Sequence, residues 1–269
     1  MSWIDLRRGL LGLLAVLALT SCGTTEQAPV TGRSQTMLVS EKEVIDESGK
    51  AYAEVLAKYR KEGKLDTAPA DLQRVRAVVT RIVPQAVAIR PETGKWAWEV
   101  HVAQLKTINA WCMAGGKMMV YSGLIDTLKL SDDELAGVLG HEISHAIAKH
   151  QQERISHEQQ RELITLPFSI AAKLFLPVDP TSTLSQLAFG LPFTREQEAE
   201  ADRIGLTLMT RAGYNPNAMV SLFEKFKAQE KGGGAPEFLS THPSDETRIE
   251  NIKRLIQADP EIRQRAARL

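Results

Sequence analysis

Two histidines four residues apart in an apolar helix constrain this chain more than any other feature. His141-Glu142-Ile143-Ser144-His145 lies in a stretch where Leu135, Val138, Leu139, Ile143, Ala146 and Ile147 recur at helical spacing. Ser131, with Glu134 three residues on, has the form of a capping box and starts the helix. A helix with 3.6 residues per turn stacks an i,i+4 pair on one face, about one turn apart. Two neutral imidazole nitrogens so placed can bind one Zn²⁺ at roughly 2.0–2.1 Å. Glu142 stands beside them, where a carboxylate can take a proton from a water at the metal. The plain alternative is a pair of surface histidines, and the apolar setting of the helix speaks against it.

A catalytic zinc needs a third protein ligand and an open position. The extended motif with a glycine and a third histidine is absent, because Ala148 and Gln151 hold those places. The candidate segment is Arg195–Gly205, where three glutamates compete. Glu198 is followed at helical spacing by Ala201, Asp202, Gly205 and Leu206, a small inward face. Glu196 and Glu200 share faces with Arg203 and so fit solvent. This points to Glu198 as the ligand. Asp202, one turn on, is a candidate either to hold the far nitrogen of a ligating histidine or to pass a proton.

With His242-Pro243 and Arg248-Ile249 downstream, these segments resemble the CAAX prenyl protease and HtpX-like zinc peptidases, family forty-eight of the metallopeptidases. The likeness runs from about Ser40 to Ile256 and is greatest to the periplasmic, lipid-anchored branch. It implies a mostly helical, zincin-like α+β domain with a small sheet beside the active-site helix. It also implies one Zn²⁺ on His141, His145 and Glu198, Glu142 as catalytic base, and Asp202 as proton donor. His242 is either a plain loop histidine, a group for the oxyanion, or an occupant of the open metal position that keeps the enzyme latent. Arg248 pairs a carboxylate or polarises substrate. The membrane branch of that family has transmembrane hairpins, whereas Leu163–Leu176 has 14 residues and includes Pro167 and Lys173. That is too short to span, so it covers the site or touches a membrane surface.

Residues 1–21 read as an address. Arg7 and Arg8 precede a leucine-rich run, Gly9 to Thr20, too short for a membrane span and apt for a secretory leader. Leu19-Thr20-Ser21-Cys22 resembles the bacterial lipoprotein box. The resemblance implies cleavage before Cys22, lipid on Cys22, and, with Gly23 following, the outer membrane facing the periplasm. Residues 22–39 then form a tether, rich in Thr, Gly, Pro and Ser near its start, and residues 40–269 the peptidase domain. Substrates implied are unfolded or misassembled envelope proteins. A zinc-bearing chaperone or assembly factor with little turnover is the rival reading.

Composition bounds the remaining options. The 33 basic and 33 acidic residues balance, which argues against a nucleic-acid partner. Two cysteines exclude a disulfide-stapled mini-domain, and Cys112 reads as a buried thiol. Helical spacing predicts helices over Ser40–Arg60 and Asp71–Ile89, the second kinked or ended by Pro84. Alternation predicts a strand over Trp96–Leu105, and a Gly115-Gly116 turn leads into a second strand, Lys117–Tyr121. We expect that second strand to be an edge that takes substrate backbone, with the peptide lying near Met119. His150, read on one continuous helix with His141, points away from the metal. His157 reads as solvated surface, and His101 carries no role.

Overall fold

The computed structural model describes residues 23–165, 192–231, 236–243 and 246–268. The leader, Cys22 and most of the Leu163–Leu176 segment lie outside these residues. Among the described residues no helix is long and apolar enough to cross a membrane.

Two small sheets and a larger body of helices make up the α+β fold. The first sheet is a hairpin of β1 (Thr24–Gln27) and β2 (Ser34–Met37), paired antiparallel. This segment reads from composition as a tether, yet Ala28, Gln35 and Met37 are buried, and Gln35 donates to the Ala148 carbonyl at 2.8 Å. Helix α1 (Glu41–Lys61) opens on a Ser40–Glu43 capping box. Helix α2 (Pro69–Ile89) continues past Pro84, which is exposed and does not end it, and buries Val75, Val78, Val79 and Ile82.

The second sheet holds β3 (Glu99–Ala103), β4 (Ala110–Met113) and β5 (Lys117–Tyr121) in the order β3-β5-β4. Gly115 and Gly116 both adopt positive φ in the β4–β5 turn. A side chain at Gly116 would collide with the Trp98 ring at 2.5 Å, so close packing as well as backbone requires glycine there. The expectation of β5 as an edge is corrected: β3 pairs with it in parallel and β4 antiparallel, so both its backbone edges are in use. Among the described residues, the sheet edge that has no further strand beside it on the cleft side is that of β4. Strand order is a non-local outcome that alternation along one strand does not encode.

After the short helix α3 (Ser122–Leu128), α4 (Asp132–Ile147) begins at the expected Ser131–Glu134 box. It is buried nearly end to end and forms the centre of the core with α2, α6 (Arg195–Arg211) and α7 (Asn217–Lys231). Lys149 has a left-handed backbone, φ 57°, and breaks the helix before α5 (His150–Thr165). Helices α8 (Glu237–Thr241), α9 (Glu246–Ala258) and α10 (Pro260–Ala266) close the domain.

Candidate metal centre and active site

Helices α4 and α6 cross with glycines in contact. A methyl at Gly140 would meet the Gly205 carbonyl at 3.1 Å, and one at Gly205 would meet the His141 nitrogen at 3.0 Å. This approach lets side chains on the first turns of α6 reach the imidazoles of α4. The Thr194–Gln197 capping box sets where α6 begins, which places Glu198 in its first turn.

The result is a compact set of donors. His141 Nε2 and His145 Nε2 lie 3.0 Å apart. Glu198 oxygens lie 3.5 Å from the first and 3.3 Å from the second. His242 Nδ1, from the residue after α8, lies 3.2 Å from His141 Nε2 and 3.0 Å from Glu198 Oε1. Ligands at zinc–nitrogen distance on a tetrahedron stand roughly 3.3 Å from one another. One donor atom from each of the four residues lies within 4.8 Å of the others, close enough to share one zinc ion, and all four residues are buried. Two acceptor nitrogens turned toward each other repel without a cation or a proton between them, so the donor set fits the metal that the motif implies.

Glu142 faces the adjoining cleft. Its Oε1 is buried and, among the described residues, receives no hydrogen bond, and His242 Nε2 stands 3.4 Å away. The Cys112 amide of β4 donates to the carboxylate. Burial pushes the Glu142 carboxyl above its ordinary value, against the pull of His242 and His141, as suits a group that must both take and give a proton. The cleft encloses about 310 Å³ between Glu142, His145, His242, Cys112 and Phe193. Cys112 is half-buried, and burial raises its thiol well above its ordinary value, so it stays uncharged.

Asp202 sits behind the ligands. Its Oδ1 is 3.0 Å from His141 Nδ1, and Arg248 donates to both its oxygens at 2.8 Å. Arg248 Nη1 also lies 2.5 Å from Glu198 Oε2, so the arginine pairs two carboxylates rather than facing the cleft. Burial pushes both acids up, but Arg248 with the neighbouring histidines outweighs it, and both are held below their ordinary values. Burial drives the His145 imidazole well below its ordinary value, which keeps it neutral, as a ligand must be.

Two sequence expectations change here. His150 does not point away: the break at Lys149 turns it back, and its Nδ1 lies 2.8 Å from His145 Nδ1. Glu200 is not a solvent-facing acid: it is buried against His150 Nε2, at 2.9 Å, and Arg33. The signal for Glu200 was present in Ile204 and Leu208 on its face, both buried, which outweigh Arg203 and Thr207. Nothing local announces Phe193, whose ring stacks on His145 at 3.8 Å, or Arg33 in the hairpin. His101 lies away from the centre, bonded to Asp66 and Glu99.

A helix-borne His-Glu-x-x-His pair, completed by a glutamate from a second helix, defines a metallopeptidase type of site. The chain belongs to peptidase family M48, whose pattern matches residues 69–256. It is 36% identical over 204 residues to the mitochondrial metalloendopeptidase OMA1 of Schizosaccharomyces pombe, a match that covers 76% of this chain and 58% of the relative. The human mitochondrial metalloendopeptidase OMA1 is 28% identical over 89% of this chain and 47% of its own length. The beta-barrel assembly-enhancing protease of Escherichia coli K12 is 33% identical over 54% of this chain and 32% of its own. The chain thus spans from about a third to somewhat over half of these relatives.

Proposed function

We propose that this chain is a zinc endopeptidase of the bacterial cell envelope. In this reading it is tethered by lipid at Cys22 to the outer membrane and cuts misfolded or unassembled envelope proteins. The observation that carries the activity is the buried donor set of His141, His145 and Glu198 with Glu142 beside it, facing the cleft. Likeness to a beta-barrel assembly-enhancing protease supports the envelope, and the lipoprotein-like Leu19–Cys22 supports the anchor.

His141, His145 and Glu198 would hold the zinc, which would supply Lewis-acid chemistry toward a peptide carbonyl and water. Glu142 then takes the proton of the attacking water at its free oxygen and returns it to the departing amine. Asp202 acts as an orienting group in this scheme: it fixes His141 through Nδ1, with Arg248 holding Asp202 in turn. The substrate backbone lies along β4. The outward amides of Ala110 and Cys112 are taken by Asn109, at 2.8 Å, and by Glu142. By strand alternation their carbonyls point the same way, and in this reading they accept amides from an extended peptide. Such pairing reads little side-chain identity, which suits unfolded chains.

His242 carries a second reading, of regulation. Its Nδ1 lies 3.2 Å from His141 Nε2 and 3.0 Å from Glu198 Oε1, so His242 would compete with water for a metal held there and keep the enzyme latent. The deciding experiment compares casein cleavage by a soluble form that starts after Cys22 with cleavage by its Glu142→Gln twin. Cleavage by the first alone supports the peptidase. If both bind unfolded client and neither cuts it, even after His242→Ala, the chaperone reading takes its place.

A further inference from the structure

A buried line of hydrogen bonds leads from the N-terminal hairpin to one ligand. Arg33, just before β2, donates through Nε to Glu200 Oε2 at 3.0 Å, and Thr31 donates to Glu200 Oε1. Glu200 Oε2 lies 2.9 Å from His150 Nε2, and His150 Nδ1 lies 2.8 Å from His145 Nδ1. His150 is fully buried, and Glu200 nearly so.

Donor and acceptor roles along this line follow from one requirement. His145 can ligate through Nε2 only when that nitrogen carries no proton, so a neutral His145 bears its proton on Nδ1. Its Nδ1–H then donates to His150 Nδ1, which must be a bare acceptor. His150 therefore keeps its own proton on Nε2 and donates it to Glu200, a carboxylate that can only accept. Every contact is satisfied in one assignment, and reversing any member leaves two donors or two acceptors face to face.

We propose that His150 is a positioning residue for the metal: with Glu200 behind it, it holds His145 in the tautomer that turns a lone pair to zinc. The proposal rests on the reading of His145 as a metal ligand. It differs from the Asp202 contact on His141 in having a second imidazole between ligand and carboxylate. Its far end is anchored by Thr31 and Arg33, which belong to the N-terminal hairpin rather than to the helical core. The hairpin thereby becomes part of the ligand-supporting structure.

The test uses zinc affinity, measured by competition with a chelator, in the protein and in three variants. His150→Leu should weaken binding by about 10–100-fold, the usual cost of losing a group that orients a ligand. His150→Asn puts a carbonyl acceptor in the place of Nδ1 and should restore most of that loss. Equal affinity in folded His150→Leu and the wild type, or no rescue by Asn, would overturn the proposal. His145→Ala separates the two readings: if it too leaves affinity unchanged, the fault lies with the ligand assignment and not with His150. Nitrogen-15 spectra of the histidine rings in the unmutated protein give a readout independent of variant folding. They should show His145 protonated at Nδ1 and His150 at Nε2, and a proton on His150 Nδ1 refutes the relay.

Discussion

Gly205 rests against the backbone of His141, so closely that a methyl group there would lie 3.0 Å from the His141 nitrogen. The crossing of α4 and α6 is thus set by the absence of a side chain. Gly205→Ala should force the helices apart and cost about 1–3 kcal/mol, the range for overpacking. Because Glu198 and Asp202 ride on the same helix, zinc affinity should fall as well. Urea unfolding and chelator competition read the two effects, and an unchanged unfolding midpoint contradicts the packing account.

Glu142→Gln should leave the fold and the metal stoichiometry intact and lower cleavage by about 10²–10⁴-fold, the usual share of a general base. Gln fills the same space beside the Cys112 amide but cannot take a proton. Wild-type turnover in this variant would remove Glu142 from the mechanism.

His242→Ala should raise cleavage of a short peptide several-fold and weaken zinc binding, since it removes the imidazole that stands against His141 and Glu198. A fall in turnover with unchanged metal affinity would instead make His242 a partner of the reacting carbonyl. Both quantities must be read, because the two roles move turnover in opposite directions and only one of them changes metal affinity.

Arg248 is buried between Asp202 and Glu198. Removing it as Arg248→Leu strands two carboxylates without their cation. Breaking a buried ion pair from one side costs about 3–5 kcal/mol. We expect a loss of that order in denaturant unfolding of the zinc-free protein. A loss below about 1 kcal/mol, the level of a surface pair, would show that the cluster contributes little to the fold.

Glu153 ties α5 to the N-terminal hairpin through Arg33, at 2.5 Å and 2.7 Å. Burial pushes its carboxyl up, but bonds from Arg33, Gln197 and Gln35 prevail and bring it from 4.5 down to about 2. A carboxyl held below its unfolded value stabilises the fold above that value and loses the contribution as pH falls through the folded one. The advantage of wild type over Glu153→Gln in melting temperature should therefore be full above about pH 5 and shrink steadily in more acid solution. A difference independent of pH would mean that shape, not charge, holds this junction.

What could be read before any fold was known was local in its physics. The i,i+4 spacing of His141 and His145, the Ser131 box and the small face after Glu198 are properties of a single helix. Helical geometry relates such neighbours wherever the helix lies. The Gly115-Gly116 turn was legible for the same reason.

Contacts between segments distant in the chain were decided by tertiary structure. Alternation in Lys117–Tyr121 predicts a strand but not its neighbours, and pairing on both sides leaves that strand inside the sheet. His150 was misread because helical periodicity carries no notice of a left-handed residue at Lys149, and one such dihedral redirects everything after it. Glu200 looked solvated until the hairpin brought Arg33 against it, 167 residues away along the chain. The sequence by itself determined the chemistry of the candidate ligands, because that chemistry is carried by residue type at helical spacing. Tertiary packing alone determined which groups stand against those side chains, because burial and hydrogen-bond direction exist only once separate elements have met.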